Sequence, residues 1–317
     1  MPPKSDSLKP FMSFGFRVTT KVLGEASLRA SLPNNADVLE GLGTTNEILG
    51  HWDEARVLLD QAIKLNPRDR RLRLRAAWIR EVSRDFQGAQ QCLDEGLKIW
   101  PDSQNFVEGK AWVYQALGKL DEADALLKNV HPTKENPADT ICRQAVLRGQ
   151  PASAIPFRQN WLNQSEESSP TIRSAHLELL GDLQRLSGNV AAATTTYSQA
   201  RDTLERALKD EPANADWIYG RLALAYAGLG DGQRAMTFID KAITATKIPV
   251  DRFHHEERRA RIAPRFGQAE VAIPILERLL HTAYFDPITP ALLRLDPDFD
   301  LLRGDPRFEK LAHSDDK

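Results

Sequence analysis

The chain has 317 residues, of which 41% are hydrophobic and 27% are charged, as in ordinary folded proteins. A formal net charge of -2 excludes a strong overall attraction to nucleic acid or to an anionic membrane surface. The two cysteines, Cys92 and Cys142, lie far apart and make neither a metal-ligand pair nor a disulfide framework, so we expect a reducing compartment.

Residues 1–32 are predicted to form an N-terminal tail followed by a leading helix. Met1 to Phe16 lack the continuous apolar core that a secretory signal needs. No apolar run in the chain is long enough to cross a bilayer. From these features and the cysteine content we expect a cytoplasmic protein that does not bind membranes.

The next segment, residues 33–132, repeats with a constant period. Three prolines follow one another at a constant spacing, and three small residues follow one another at the same spacing. The prolines are Pro33, Pro67 and Pro101, and the small residues are Ala55, Ala89 and Ala123. Within one period, apolar residues at helical spacing end at Gly50, and a second helical stretch ends before Pro67, whose ring clashes with a preceding helical turn. Each period therefore predicts two antiparallel helices that cross closely at the small residue.

Residues 34–67 resemble a tetratricopeptide repeat along almost their whole length. They carry the Leu–Gly pair, the turn glycine, two small residues and the final proline of that pattern, at Leu42, Gly43, Gly50, Ala55, Ala62 and Pro67. The next two units keep the register but place Arg73, Arg84 and Lys110 where an apolar residue, the turn glycine and a core leucine are typical. The resemblance implies an all-α superhelical solenoid of antiparallel helix pairs, tetratricopeptide and tetratricopeptide-like, that binds other proteins.

The period becomes irregular after Pro132. Residues 133–169 are predicted to form a short repeat that ends in a polar break, and residues 170–284 a block of similar repeats with longer helices. A glycine followed five residues later by an alanine marks the turn of each later unit, at Gly149/Ala154, Gly188/Ala193, Gly230/Ala235 and Gly267/Ala272. In total the pattern predicts seven helix pairs.

The last segment, residues 285–317, departs from the repeat and is predicted to form a helical cap and a tail. Asp–Pro dipeptides begin at Asp286, Asp296 and Asp305, and they are typical helix starts because Asp caps the N-terminus and Pro fits the first turn. Short helices here would cover the apolar face that the last repeat leaves open. The segment resembles the closing piece of bacterial repeat modules that are attached to serine/threonine kinases, adenylate cyclases or winged-helix regulators.

We find no sequence signature of a catalytic site, and we predict a protein that is not an enzyme and holds no cofactor or metal. The glycine-rich stretch Gly228–Gly232 lacks the lysine of a phosphate-binding loop. The run His254–Glu257 contains four consecutive potential metal ligands, which point in different directions around a helix and cannot converge on one ion. We expect this run to form a solvated polar face.

The resemblance places the first helix of each pair on the concave face, where ligands of such solenoids usually lie. The residues that this register turns toward a partner are Trp78, Trp112, Arg71, Arg75, Leu74, Glu81, Glu108 and Gln115. Trp78 and Trp112 are exactly one period apart, and they either anchor a peptide or pack between helices. The arginines either bind acidic groups or form a solvated basic face, and Glu40 and Glu47 on the same surface argue against nucleic acid.

The function that follows is a non-catalytic adaptor or scaffold that binds a peptide or protein segment in the concave groove. The alternative is a sensory or regulatory repeat module that controls a kinase, a cyclase or a transcription regulator, in the same chain or in another. The two tryptophans favour the adaptor, whereas the resemblance of the closing segment favours the regulatory module. The sequence assigns no oligomeric state.

Overall fold

A computed structural model describes residues 34–131, 139–164, 169–210 and 214–314 of the chain. These ranges hold sixteen α-helices and no strand, in agreement with the predicted all-α fold. The predicted tail and leading helix at residues 1–32, and residues 165–168 of the predicted break, lie outside the described residues.

Fourteen of the helices follow one another as seven pairs. The regular pairs are α1 (Ala36–Leu49) with α2 (Trp52–Leu65), α3 (Arg70–Val82) with α4 (Phe86–Ile99), and α5 (Gln104–Ala116) with α6 (Leu120–Leu127). The shortened fourth pair is α7 (Asp139–Leu147) with α8 (Ile155–Gln164), which a 3-10 helix at Pro151–Ala154 precedes. The later pairs are α9 (Pro170–Leu186) with α10 (Val190–Asp210), α11 (Ala215–Gly228) with α12 (Gly232–Ala245), and α13 (Pro249–Ile262) with α14 (Ala269–Leu279).

The turn inside each pair lies where the Gly–Ala spacing predicts it. Six of the seven turns hold a glycine with φ between 68° and 79°, a left-handed conformation that glycine adopts without steric cost. In the second pair Arg84 occupies this position, with φ of 62°. Five residues after each turn residue, an alanine that is at most 3% exposed allows the two helices to cross closely. This geometry confirms the superhelical repeat of helix pairs.

The chain after α14 forms two short helices, α15 (Pro290–Leu295) and α16 (Pro306–Ala312), with a 3-10 helix between them at Pro297–Leu302. Asp296 and Asp305 cap the helices that follow them, as the Asp–Pro dipeptides predict. The prediction is wrong at Asp286, which starts no helix and has φ of 48°. Helix α15 is capped by Thr289 instead, whose hydroxyl accepts a hydrogen bond from the backbone N–H of Leu292.

The cap covers the last pair and also ties it to the fifth. Phe299 and Phe308 are buried in one core with residues of α13 and α14. Asp298 accepts hydrogen bonds from Arg185 of α9 at 3.0 Å and from Arg265, just after α13, at 2.6 Å. The cap therefore links the fifth and the seventh helix pairs through the carboxylate of Asp298.

The same segment reaches back to the first pairs, so that the solenoid closes on itself. Thr289 Oγ1 donates a hydrogen bond to the carbonyl oxygen of Ala116, at the end of α5, with a distance of 2.5 Å. The ring centroids of Phe285 and Trp52 are 5.7 Å apart. Helices α1 and α13 also touch directly. A cap that covered the last repeat alone, as the sequence predicts, would contact neither Ala116 nor Trp52.

The close packing of α9 on α10 gives a first testable prediction. Gly181→Ala is expected to destabilise the protein by about 1–3 kcal/mol, because a Cβ there would lie 2.7 Å from a ring atom of Tyr197. The Tyr197 ring is 1% exposed and its hydroxyl donates to Asp182 at 2.7 Å, so the ring has little freedom to move away. Gly41→Ala in α1 is the matched control, since nothing lies within 4 Å of its Cβ position and alanine should add about 0.5–1 kcal/mol. Urea unfolding of both variants measures the difference, and equal shifts would contradict the close packing.

Candidate functional site

Arg75 joins α1 to α3 through a buried ion pair. Its guanidinium donates two hydrogen bonds to the Glu47 carboxylate, at 2.7 and 2.6 Å, and the two residues are 7% and 2% exposed. Burial raises the pKa of Glu47, and the hydrogen bond and charge of Arg75 oppose this rise. Glu40 lies beside the pair and also binds Arg71, at 2.7 Å. Arg75 is therefore held inside the fold, whereas the Arg71 side chain stays 59% exposed.

Trp78 packs against the segment that follows α14. Its ring stacks on Phe285, with centroids 4.5 Å apart and an angle of 20° between the planes. Trp52 meets the Trp78 ring edge-on at 6.4 Å. Phe285 also stacks with His254 of α13, at 5.8 Å and 14°. A chain of aromatic rings therefore connects the second helix pair to the seventh.

Arg84, which stands at the turn position where glycine is typical, binds the same segment. Its Nη1 donates to the carbonyl oxygen of Ile288 at 2.7 Å, and its Nη2 donates to that of Leu279 at 2.6 Å. The left-handed backbone of a non-glycine residue costs about 1–2 kcal/mol. The side chain offsets this strain because it reaches carbonyl groups that a glycine could not bind. The departure from the repeat pattern at this position is thus explained by the closure of the solenoid.

The other predicted partner-binding residues divide between the core and partly exposed positions. Leu74 is 5% exposed and packs with Leu93 of α4. Gln115 is fully buried, and its Nε2 donates to the carbonyl oxygen of Thr140 at 2.9 Å, which joins α5 to α7. Glu108 is half-buried on α5. Leu74 and Gln115, like Arg75, therefore contribute to the interior of the fold.

Trp112 carries a guanidinium over its ring. The Arg143 Cζ atom of α7 lies 5.0 Å from the Trp112 ring centroid, within the range of a cation–π contact. Arg143 is half-buried, and its guanidinium makes no hydrogen bond or ion pair within the part of the chain that the structure describes. Burial lowers the pKa of Arg143, and the charges of Asp286 and Asp296 offset this only in part.

Two carboxyl groups lie near this guanidinium. Glu81 is 6% exposed, and within the described ranges its carboxyl makes no hydrogen bond or ion pair. Burial raises the pKa of Glu81 well above the usual range, and the neighbouring Asp286 raises it further, against the effect of Arg143. Asp286 is exposed to solvent at its surface, yet desolvation by the surrounding protein raises its pKa as well. We call Trp112, Arg143 and Glu81 the inner-face site, and Asp286 belongs to the segment that lies next to it.

The sequence predicts only part of this arrangement. Its pattern indicates Trp112 and Glu81 as binding residues, but not Arg143, Phe285 or Asp286. Arg143 lies in the shortened fourth pair, where the regular period no longer assigns positions. Phe285 and Asp286 lie outside the repeats. The available signal was the missing turn glycine at Arg84, which indicates a position with an added role.

The prediction that residues 254–257 form a solvated polar face is wrong. His255 is fully buried, and its Nδ1 lies 3.1 Å from Arg258 Nη1. Burial, followed by the charge of Arg258, lowers the pKa of both His254 and His255 to about 3. Gly220 provides the space, since a Cβ there would lie 2.7 Å from His255 Nδ1. These histidines face inward because α13 is the first helix of its pair and packs on α11, the first helix of the preceding pair.

Both cysteines of the chain lie within the described ranges. Cys92 and Cys142 are free thiols whose pKa burial raises. These ranges contain no group of three or more side chains arranged to hold a metal ion. None of their helices combines the length and the apolar character that spanning a bilayer requires.

Comparison with known proteins identifies the repeats. A family model described as tetratricopeptide repeat matches residues 48–103 and 186–247. Among solved structures, a chain of the APC/C hetero-tetramer Cut9–Hcn1 is 16% identical with a TM-score of 0.52, and the match covers 83% of this chain and 46% of that one. A tetratricopeptide repeat protein from Parabacteroides merdae is 17% identical with a TM-score of 0.45, and that match covers 87% and 97% of the two chains. A search among curated proteins found no match.

These matches confirm tetratricopeptide repeats in the chain and the solenoid fold that they build. The chain spans less than half the length of the Cut9–Hcn1 chain that it matches, at 46%. Proteins with such repeats are generally non-catalytic adaptors, and no catalytic family is indicated. The fold therefore implies protein partners.

Proposed function

We propose that the chain is a non-catalytic adaptor that binds an acidic, partly apolar protein segment at the inner-face site. The observation that carries this proposal is Arg143, a half-buried guanidinium over Trp112 without a hydrogen bond or ion pair in the described part of the chain. Arg75 and Arg84, by contrast, are bound by a carboxylate and by carbonyl groups. A buried cation is costly unless a partner neutralises it, so an anionic partner is favoured here.

The groups of the site define the chemistry of the partner. A carboxylate, from a side chain or a chain terminus, can form a two-pronged pair with the Arg143 guanidinium. An apolar side chain next to that carboxylate can cover the Trp112 ring. Burial raises the pKa of Glu81 and so favours its protonated form, which can donate a hydrogen bond to a backbone carbonyl of the bound segment.

A regulatory module is the second candidate. It is supported by the closure of the solenoid, because the chain between α14 and α15 contacts the second and third pairs through Arg84 and Ala116. A partner that displaces this connection would change the shape of the whole solenoid and so could control an effector, such as a kinase, a cyclase or a transcription regulator. The free thiols of Cys92 and Cys142 are consistent with the cytoplasmic location that we propose for either function.

Peptide display tests the adaptor proposal. Peptides selected from a random library on the wild-type chain are expected to carry an acidic residue next to an aromatic or aliphatic one. Arg143→Gln should weaken their binding by about tenfold or more, because a charge-assisted pair is lost. Fluorescence anisotropy with labelled peptides measures the dissociation constants.

Arg56→Gln is the matched control for this experiment. Arg56 is a partly exposed arginine of α2 that pairs with Asp53, so its loss should leave peptide affinity unchanged. Trp112→Ala tests the apolar half of the site and should weaken binding, provided that the variant still shows a cooperative helical melt. Selected peptides without acidic residues, or equal binding to the Arg143→Gln variant, would contradict the proposed site.

A further inference from the structure

The chain between α14 and α15 lies across the inner face, and we call its residues 283–289 the clasp. The Phe285 ring of the clasp stacks on Trp78 and on His254, at angles of 20° and 14°. Phe285 remains half-buried, so the stack keeps contact with solvent. The clasp therefore occupies an aromatic slot whose walls belong to α3 and α13, the first helices of the second and seventh pairs.

Asp286 follows Phe285 and brings a carboxylate near Arg143. The two side chains attract each other electrostatically, but they form no ion pair. The backbone of Asp286 turns sharply, with φ of 48°, and Pro287 follows. The clasp thus presents a carboxylate near Arg143 and an adjacent aromatic ring. These are the kinds of group that we assign to a partner, although the ring lies on Trp78 and not on Trp112.

The clasp is held through its backbone, through Tyr284 and through Thr289, whose hydroxyl donates to the carbonyl oxygen of Ala116. Arg84 binds the carbonyl oxygen of Ile288, and the Ile288 N–H donates to the Tyr284 hydroxyl at 2.9 Å. The Tyr284 hydroxyl in turn donates to Glu257 at 2.7 Å. In the described ranges, Arg84 and Asp286 are the two non-glycine residues with left-handed backbone, and both belong to this contact. The hydrogen bonds of the Arg84 side chain offset its strain, whereas the strained backbone of Asp286 lowers the stability of the closed arrangement.

We infer that the clasp is an internal competitor, which a partner segment with an aromatic residue followed by an acidic residue displaces from the slot between Trp78 and His254. This inference rests on the proposed function of the inner-face site. The covalent tether keeps the clasp at a high local concentration and favours the closed form. An untethered segment, however, is not held back by the turn at Asp286, so its carboxylate can reach Arg143 and form the ion pair that the clasp lacks.

A labelled synthetic peptide with the sequence of residues 281–290, HTAYFDPITP, tests this inference. Phe285→Ala in the full chain vacates the slot, while Arg84 can still bind the backbone of the clasp. The peptide is expected to bind this variant at least about tenfold more tightly than it binds the wild type, as measured by fluorescence anisotropy. Adding Trp78→Ala removes one wall of the slot and should abolish the gain.

The same peptide with alanine in place of phenylalanine is the matched control and should bind neither protein. If a thermal melt shows that Phe285→Ala is poorly folded, Phe285→Leu keeps most of the apolar volume and should give a smaller gain. Equal affinity for the wild type and the Phe285 variants would overturn the inference. A dimer in which two copies exchange their clasps, without binding of the peptide, would contradict the inference that a segment of another protein displaces the clasp. Another outcome is that the library peptides whose binding depends on Arg143 bind, while the clasp peptide does not bind the Phe285 variants. That result would overturn the inference about the clasp and leave the proposed adaptor site intact.

Discussion

Arg75→Leu is expected to lower the free energy of unfolding by about 3–5 kcal/mol, the range seen when one partner of a buried ion pair is removed. The change leaves Glu47, which is 2% exposed, as a buried carboxylate without its cation. Both hydrogen bonds of the guanidinium, at 2.7 and 2.6 Å, are lost together. Urea unfolding followed by far-UV circular dichroism measures the loss.

Protonation of Glu47 should relieve most of this destabilisation. Burial already raises the pKa of Glu47 in the wild type, so the folded state takes up this proton more readily than the unfolded state. Without Arg75 this difference grows. The deficit of the variant is therefore largest near neutral pH and shrinks as the pH falls toward about 4, because Glu47 becomes protonated in the folded variant.

The double variant Arg75→Leu/Glu47→Leu is the control for the Arg75 prediction. It leaves no buried charge at this position, so it should recover most of the lost stability. A deficit of the single variant that stays constant with pH, or a double variant as unstable as the single one, would show that lost packing and not the buried charge is responsible.

Asp298→Asn is expected to cost a similar amount, about 3–5 kcal/mol, because one carboxylate, whose side chain is only 18% exposed, binds three arginines of two helix pairs. Arg265 and Arg185 donate to one carboxylate oxygen at 2.6 and 3.0 Å, and Arg261 lies 3.5 Å from the other. An amide removes the charge and turns a donor toward the guanidinium groups. Hydrogen exchange should show that the cap, residues 285–314, loses protection before α9 and α13 do.

The deficit of this variant also shrinks as the pH falls, but it does so at lower pH than the deficit of Arg75→Leu. Burial raises the pKa of Asp298, but Arg265, Arg261 and Arg185 outweigh it and hold the pKa well below the usual range. Such a carboxyl contributes stability above its unfolded pKa, and this contribution is lost as the pH falls through the folded value. The gap between wild type and variant should therefore be constant above about pH 5 and shrink below about pH 4.

Asp300→Asn is the matched control for Asp298. Its side chain is 53% exposed and pairs with the nearby Arg303, so its replacement should change stability by no more than about 0.5 kcal/mol. If both variants lost the same stability, or if the gap for Asp298→Asn persisted unchanged at about pH 3, the ionised carboxylate would not be the group that holds the cap.

The helix pairs could be predicted because their signals are local. Gly50 and Gly267 end a helix through their own left-handed backbone, and the alanine five residues later sits where the second helix crosses the first. Neither signal depends on residues far away in the chain. The Gly–Ala spacing therefore located the turns of the irregular units as well, even where the regular period had failed.

The roles of the inner residues could not be predicted, because their partners are distant in sequence. The sequence leaves open whether Arg75 contacts a ligand or is a solvated surface charge. The structure shows that its guanidinium donates two hydrogen bonds to Glu47, which lies on another helix. Arg84 binds the carbonyl oxygens of Leu279 and Ile288, which lie 195 and 204 residues further along the chain. No periodic pattern encodes such a contact with a segment outside the repeats.

By itself the sequence determined an all-α solenoid of seven helix pairs and the position of each turn. Only the tertiary structure decided which inner side chains are bound within the fold, as for Arg75 and Gln115. It also decided which of them, as for Arg143, form no hydrogen bond or ion pair with the described part of the chain. The physical reason is that neighbouring residues specify a helix pair, whereas the residues that meet its inner face depend on the curvature of the whole solenoid. That curvature accumulates over all the pairs until the chain after α14 meets α3 and α5.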